Sequence, residues 1–199
     1  MLSTEQKNLS IEIFENCGIV SPLERFGSNF EINCELLINL ANRTASELHE
    51  KWRAEFALNN GKETPRWKKI KDIEFIENLD ENNIPPNIRK NNGVWEIDIA
   101  HTPFEKLSSD WQYENLEAGK IVAGLVLRNQ FEKLNRDQVG TIIHNEWLKR
   151  NEWAKEDAVL SLPFEELPKL EQKKDLIQFA ICLEEFKAMQ LEKEQGKER

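Results

Sequence analysis

The sequence predicts a mostly α-helical protein made of two related helix pairs, with one short strand or extended segment between helices. Three observations predict this fold class. Apolar residues recur at intervals of three and four along most of the chain, which is the period of one helix face. Clear alternation of apolar and polar residues occurs at Trp95, Ile97 and Ile99. The stretch PFEKLSSDWQYENL at 103–116 returns in similar form as PFEELPKLEQKKDL at 163–176.

Composition indicates a folded chain and excludes several functional classes. The six Trp and ten Phe are large apolar groups of the kind that disordered chains lack. A net charge of −9 disfavours nucleic-acid binding, because an acidic surface repels phosphate backbones. No apolar run reaches the ~20 residues that a membrane helix needs, so we expect no membrane partner. The polar first residues do not resemble a secretion signal, and three widely spaced cysteines are typical of a reducing compartment, so we expect a cytoplasmic location.

The first part of the chain is predicted to hold two helices. Ser3 to Gln6 has the form of a capping box, which predicts a helix from about Thr4 to Cys17. A turn is expected at Ser21-Pro22. A longer helix then follows from about Glu31 to Asn59, since its apolar and small residues step by three and four.

The next stretch, at about 60–98, is polar and less regular. Trp67 to Ile70 is compatible with either a helix or a strand, and Ile73 to Leu79 predicts a short helix. Asn91-Asn92-Gly93 predicts a turn. The alternating segment that begins at Trp95 follows directly, and we interpret it as a half-buried strand.

Three helices are expected in the last part of the chain. Ser108 or Ser109 can cap a helix that reaches about Phe131, and Asp137 can cap the next one. The last helix is expected to begin near Pro168, because the fixed φ of proline suits a first turn. Its apolar face ends at about residue 190, so residues 191–199 are predicted to form a flexible tail.

The two similar stretches predict an internal duplication. Upstream of each one stands an apolar-His-x-x-Trp pattern, with His49 and Trp52 before the first and His144 and Trp147 before the second. The first connection is 35 residues longer, which predicts an insertion. We therefore expect two helix-pair repeats that bury apolar faces against each other with pseudo-twofold symmetry. The predicted segments are an N-terminal helix and linker at 1–30, a first repeat at 31–131 with its insertion at about 60–98, a second repeat at 137–190, and the tail at 191–199.

The second repeat carries the longer pattern. Its residues are His144, Trp147, Pro163, Phe164, Leu167, Glu171, Gln172 and Asp175. With these residues it resembles the ryanodine-receptor repeat (RyR) domain family, whose members have an H-x-x-W helix followed by a P-[YF]-x-x-L-x-x-x-E-[KQ]-x-x-D run. The family's Gly-Trp-x-Tyr-Gly-like loop is absent, and residues 151–154 are its nearest remnant.

The first repeat resembles the family less closely. Its matching residues are His49, Trp52, Pro103, Phe104, Leu107 and Gln112. Trp111 stands at the usual Glu position and Asn115 at the usual Asp position. The resemblance, including the tandem arrangement, implies a helical and non-catalytic module. Such a module would bind a protein partner or a small ligand, for which nucleotide-like molecules are one class.

The histidines are the candidates for acid–base chemistry. His49 and His144 each have a Trp three residues later on the same helical face. Because the pattern occurs twice, packing explains it more simply. We expect each imidazole to donate to a carbonyl or carboxylate at the helix junction while the indole fills the core. His101 follows the predicted strand and has Asp98 nearby, so it is the third candidate.

Four residues outside the regular helical faces are candidates for a ligand or partner groove. They are Trp67, Trp95, His101 and Trp153. One or two of them are candidates to line a groove between the repeats, although the favoured interpretation is that they cap the ends of the core. The sequence has no cluster of metal ligands at short spacing and no phosphate-binding or nucleophile motif, so we expect no metal and no cofactor.

The sequence thus favours a non-catalytic cytosolic binding or regulatory module. Two alternatives stay open. One is an enzyme that uses His101 or His49 with a neighbouring carboxylate, which would lie in an open cleft. The other is a purely structural interaction subunit, which would expose a large apolar patch. Neither the ligand nor the oligomeric state follows from the sequence.

Overall fold

The computed structural model describes residues 2–197, and 67% of the chain is helical with 6% in strands. The predicted mostly α-helical class is therefore confirmed. The α-helices are α1 (Thr4–Asn16), α2 (Pro22–Phe26), α3 (Phe30–Asn60), α4 (Ile73–Glu77), α5 (Ser109–Arg128), α6 (Arg136–Arg150) and α7 (Lys169–Lys197). The strands are β1 (Trp67–Lys69), β2 (Ile88–Asn91) and β3 (Val94–Asp98). Short 3₁₀ helices cover Gly27–Asn29, Phe104–Lys106, Glu152–Glu156 and Phe164–Glu166. None of the described helices combines the length and the apolar character needed to cross a membrane.

The chain divides into two compact units. One, the discontinuous unit, is formed by the residues up to Thr44 and those from Glu117 onward, and the other, the continuous unit, is Ala45–Leu116. Both unit boundaries fall inside helices, in α3 and in α5. These boundaries differ from those of the predicted repeats, because α3 and α5 each contribute one part to each unit.

Helix caps in the discontinuous unit follow local sequence signals. At α1, the Ser3 hydroxyl accepts from the backbone N–H of Gln6, and the Gln6 side chain accepts from the backbone N–H of Ser3, so the predicted capping box is confirmed. The predicted turn at Ser21-Pro22 leads into the short helix α2, with proline at the first position that suits it.

The predicted cap of α6 is wrong. Asn135, and not Asp137, is the N-cap, and it forms a reciprocal capping box with Gln138 at 2.9 Å in both directions. Asp137 lies within the first turn. An acidic residue there is stabilised by the helix dipole without being the cap, and so the two positions are hard to distinguish from sequence.

The core of the discontinuous unit is aliphatic and aromatic. Its fully buried side chains include Phe14, Leu37, Leu40, Val122, Leu125 and Val126. Cys17, Cys34 and Cys182 are also buried here, and all three are free thiols. Burial raises the pKa of the Cys182 thiol to about 12, so this thiol stays protonated at neutral pH.

α7 continues to Lys197, so residues 191–197 of the predicted tail are helical. Arg43 of α3 binds this part of the helix. Its guanidinium donates to Glu192 through two nitrogens, at 2.8 and 3.0 Å, and to Glu185 at 2.8 Å. A bidentate pair has a defined geometry, and it supports the helix beyond the end of its apolar face. Residues 198–199 of the predicted tail lie outside the described residues.

The continuous unit contains a three-stranded antiparallel sheet in the order β1-β3-β2. Asn92 and Gly93 have positive φ, at 49° and 79°, and connect β2 to β3 as a two-residue hairpin turn. The predicted strand is β3, while β1 resolves the ambiguity at Trp67. β2 was not predicted, because Ile88 is the only buried residue of this strand and gives no alternation. The core here contains Ala45, Ile70, Ile88, Trp95, Ile97, Ile99, Phe104 and Leu107.

Candidate functional site

The two copies of the His-x-x-Trp motif lie in different units, and the first copy belongs to the continuous unit. His49 is buried on α3, where its Nε2 donates to the carbonyl oxygen of Thr102 at 2.9 Å. A carbonyl can only accept, so Nε2 carries the proton. The imidazole stacks on Trp52, with ring centroids 5.7 Å apart and planes 22° apart.

The second copy makes the equivalent contacts in the discontinuous unit. His144 is buried on α6, and its Nε2 donates to the carbonyl oxygen of Leu162 at 3.1 Å. Its ring stacks on Trp147, with centroids 6.1 Å apart and the same interplanar angle of 22°. Leu162 immediately precedes Pro163, just as the acceptor in the first copy precedes Pro103. Both imidazoles donate to a carbonyl, as expected, whereas Trp52 and Trp147 are half-buried and do not fill the core as the same expectation had it.

The Pro-Phe turns also match. Pro103 and Pro163 have φ values of −60° and −53°, and a short 3₁₀ helix follows each proline. The side-chain amide of Gln112 donates to the carbonyl oxygen of Leu107 at 3.1 Å. Gln172 donates in the same way to the carbonyl oxygen of Leu167 at 2.9 Å. In both copies, therefore, a glutamine ties the turn to the helix that follows.

A pocket of about 380 Å³ opens beside the second copy, within the discontinuous unit. We call it the aromatic pocket. Its principal lining residues are Trp147, Trp153, Leu160, Glu171, Lys174 and Asp175. The volume is in the range of small-ligand sites, which are commonly apolar clefts with a few polar groups.

Trp153 forms the outer wall of the aromatic pocket. It lies on the 3₁₀ helix Glu152–Glu156, and 63% of the residue is exposed. Its indole stands at 83° to that of Trp147, with centroids 5.9 Å apart, and its N–H donates to the side chain of Asn151 at 3.2 Å. An exposed indole is thus held in one orientation by a hydrogen bond and by an aromatic edge contact.

The polar side of the aromatic pocket comes from α7. Asp175 is buried, and its Oδ2 lies 3.3 Å from Nδ1 of His144. Burial raises the pKa of the Asp175 carboxyl to about 6, and the attraction of His144 opposes that rise. Lys174 is paired with Glu171 at 2.8 and 2.9 Å. Of the two carboxylates in this wall, Glu171 is paired with a lysine. Asp175 is instead paired with His144 among the described contacts.

In the continuous unit, residues of the segment at 60–98 lie against the aromatic groups that match those of the pocket in sequence. Trp111 occupies the sequence position that matches Glu171, and its indole N–H donates to the carbonyl oxygen of Lys69 at 2.9 Å. The guanidinium of Arg66 lies over the ring of Trp52, 5.2 Å from its centroid. Both Lys69 and Arg66 belong to the segment at about 60–98 that the sequence predicts to be an insertion. The indole that matches Trp147 is thus covered by the chain itself.

The four predicted groove residues are divided between the units. Trp67, Trp95 and His101 lie in the continuous unit, whereas Trp153 lies in the discontinuous unit. Trp95 is a core residue, as the favoured interpretation expected. Trp67 is half-buried on β1, and the guanidinium of Arg89 lies 4.1 Å from its ring centroid.

His101 has a carboxylate partner, as its position after the strand suggested. Its Nδ1 lies 2.5 Å from Oδ2 of Asp98, and its Nε2 lies 2.7 Å from the carbonyl oxygen of Lys62. The Lys62 carbonyl and then Asp98 raise the pKa of this imidazole. A pocket of about 420 Å³ adjoins the pair. Since both ring nitrogens face acceptors, neither is free to take a proton from a substrate.

Sequence reasoning missed Leu160, Lys174 and Gln178 as pocket residues. Lys174 could have been found, because residues 171, 174, 175 and 178 share one face of α7 by their spacing. Leu160 has no such signal, since it lies in an irregular connection. Comparisons of the chain with models of protein families, with curated proteins and with solved structures found no match.

Proposed function

We propose that this chain is a non-catalytic binding or regulatory module made of two RyR-like repeats, and that the aromatic pocket of the second repeat receives its ligand or partner. The observation that carries the proposal is the exposed and oriented indole of Trp153. A large apolar group at the mouth of a pocket gains stability when a ligand covers it. Oriented aromatic side chains are frequent anchors in binding sites.

The matched contacts of His49 and His144 support the duplication. Each buried imidazole donates to the carbonyl before a proline, although the two copies lie in different units. Pseudo-twofold packing of the repeats is part of the same proposal. Three free and buried thiols support a cytoplasmic location, where thiols are kept reduced.

The ligand class follows from the pocket walls. An indole face can stack on a planar group, whether this is a nucleotide-like base or a side chain of a protein partner. The alternative of an enzyme rests on His101 and Asp98, but the Lys62 carbonyl already occupies the second ring nitrogen. We therefore propose that His101 has a structural role and that the aromatic pocket is the binding site.

A thermal-shift screen against nucleotides and common metabolites tests the proposal, with the wild-type protein beside a Trp153→Ala variant. Because Trp153 is largely exposed, the substitution should leave the fold intact. A ligand at about 100 times its dissociation constant adds ~2.7 kcal/mol of stability to the wild type, and we expect the variant to lose most of that gain. Leu170→Ala is the matched control, since Leu170 is 67% exposed on α7 and is not among the residues lining the pocket. A ligand that stabilises all three proteins equally binds elsewhere and contradicts the proposal.

A further inference from the structure

We infer that the aromatic pocket recognises a guanidinium group. This inference rests on the proposed function and narrows its ligand chemistry from any planar group to an organic cation. The main support comes from the first copy of the motif. There, Trp52 matches Trp147 of the pocket, and a side chain of the protein itself lies over the Trp52 indole.

In the first copy that occupant is an arginine. The guanidinium carbon of Arg66 lies 5.2 Å from the ring centroid of Trp52 and 5.6 Å from that of Phe56. Both distances are within the ~6 Å over which a cation is attracted to an aromatic face. Arg66 belongs to the insertion, and the shorter connection of the second copy, at 151–162, contains no arginine. In the second copy no arginine of this connection covers Trp147, and the aromatic pocket lies beside that indole instead.

The walls of the pocket suit a flat cation. The indoles of Trp147 and Trp153 stand at 83° to each other, so their electron-rich faces have different directions. His144 stacks on Trp147, whereas Trp153 is 63% exposed and has a face available. A guanidinium is planar and weakly hydrated, so it stacks on an aromatic face at a lower desolvation cost than an ammonium.

The charges of the pocket favour a cation over an anion. Glu171 and Lys174 neutralise each other at 2.8 and 2.9 Å. Asp175 then contributes a carboxylate whose side chain is only 12% exposed, with His144 as its neighbour at 3.3 Å. With Oδ2 facing His144, the Oδ1 atom of Asp175 can accept a charge-assisted hydrogen bond from a guanidinium, which is stronger than a bond between neutral groups. A phosphate would be repelled by the same carboxylates.

The guanidinium can come from a free small molecule or from an arginine side chain of a protein. Both sources share the same recognition chemistry. We would titrate ¹⁵N-labelled protein with ethylguanidinium and with the blocked peptide acetyl-Gly-Arg-Gly-amide while following the indole N–H signals. The matched neutral probes are ethylurea and the citrulline form of the same peptide, which keep the planar shape and lose the charge.

We expect each cation to shift the Trp153 indole signal and to bind roughly tenfold more tightly than its neutral partner. Asp175→Asn should abolish most of that ratio, and this variant has a precedent because Asn115 stands at the matching position of the first copy. Glu166→Gln is the control, since Glu166 is exposed and not among the residues lining the pocket. Binding of the arginine peptide well above that of ethylguanidinium would identify a protein source, and equal binding would identify a free cation.

Two outcomes would overturn the inference, and they differ in what they mean for the proposed function. If a nucleotide such as AMP shifts the Trp153 signal while the guanidinium probes do not, the pocket is a binding site of another class. The proposed function then stands and the guanidinium inference fails. If none of the cationic, neutral or anionic probes shifts this signal, both are wrong.

Discussion

Nε2 of His144 on α6 donates a hydrogen bond at 3.1 Å to the carbonyl oxygen of Leu162, the residue before Pro163. His49 makes the same bond to Thr102, the residue before Pro103. Each bond joins a helix to the residue that precedes the Pro-Phe turn of the same motif. We call this hydrogen bond the histidine clamp. This role accounts for a histidine in a buried position of each motif, since the imidazole satisfies a carbonyl there.

The clamp predicts similar losses of stability in the two copies. His49→Phe keeps a flat ring but removes the donor, so the buried carbonyl of Thr102 loses its partner. Such a loss costs about 1–3 kcal/mol of unfolding free energy. His144→Phe should cost at least as much, because it also removes the neighbour of the buried Asp175 carboxyl.

Urea unfolding followed by circular dichroism measures both variants. Leu170→Ala is a suitable control, because Leu170 is largely exposed and its loss should change the unfolding free energy little. If either histidine variant is as stable as the wild type, that imidazole is not a clamp and the equivalence of the two copies is wrong.

Gly140 is predicted to be intolerant of any side chain. A Cβ on this residue of α6 would lie 2.1 to 2.4 Å from three ring carbons of Phe164. Phe164 is 1% exposed, so its ring has no free space into which to move. We expect Gly140→Ala to lower the unfolding free energy by about 2–3 kcal/mol, despite the better helix propensity of alanine.

Gly196→Ala is the matched control for this prediction. Gly196 also lies in a helix, but no atom lies within 4 Å of its added Cβ. Alanine there should leave the protein as stable as before or slightly more stable. Thermal unfolding of the two variants side by side measures the difference. Equal midpoints would contradict the close contact between Gly140 and Phe164.

Asp175 predicts a specific dependence of stability on pH. Burial raises the pKa of its carboxyl from 3.8 to about 6, with His144, Glu171 and Lys174 as the charged or titratable groups around it. Between these values the folded protein binds more protons at this site than the unfolded chain does. Its contribution to stability is therefore complete below about pH 4 and is lost as the pH rises through about 6.

Asp175→Asn removes this titration and leaves the other groups in place. We expect the wild type to lose unfolding free energy relative to the variant as the pH rises from about 4 to about 6, with little further change above that. Urea denaturation at several pH values measures the difference between the two proteins. Parallel pH profiles would show that the Asp175 carboxyl titrates as it does in the unfolded chain.

Much of the fold was predictable from local patterns. The capping box at Ser3 and the three-and-four spacing within α3 predicted two helices closely, since each signal lies within a few residues. The predictions failed where two local solutions are nearly equivalent, as at the cap of α6, or where a strand has one buried residue, as in β2. The pairing of Glu192 on α7 with Arg43, which is far away in the sequence, has no local signal.

The sequence by itself determined the helical class, the two copies of the His-x-x-Trp motif and the turn that follows each proline. These features depend on the spacing and the chemistry of neighbouring residues. Only the tertiary structure decided that Arg66 lies over Trp52, that Trp153 stands exposed beside Trp147 and that Asp175 is buried. The physical reason is that burial and charge pairing arise between residues that are distant in sequence, and no local pattern records which of them meet.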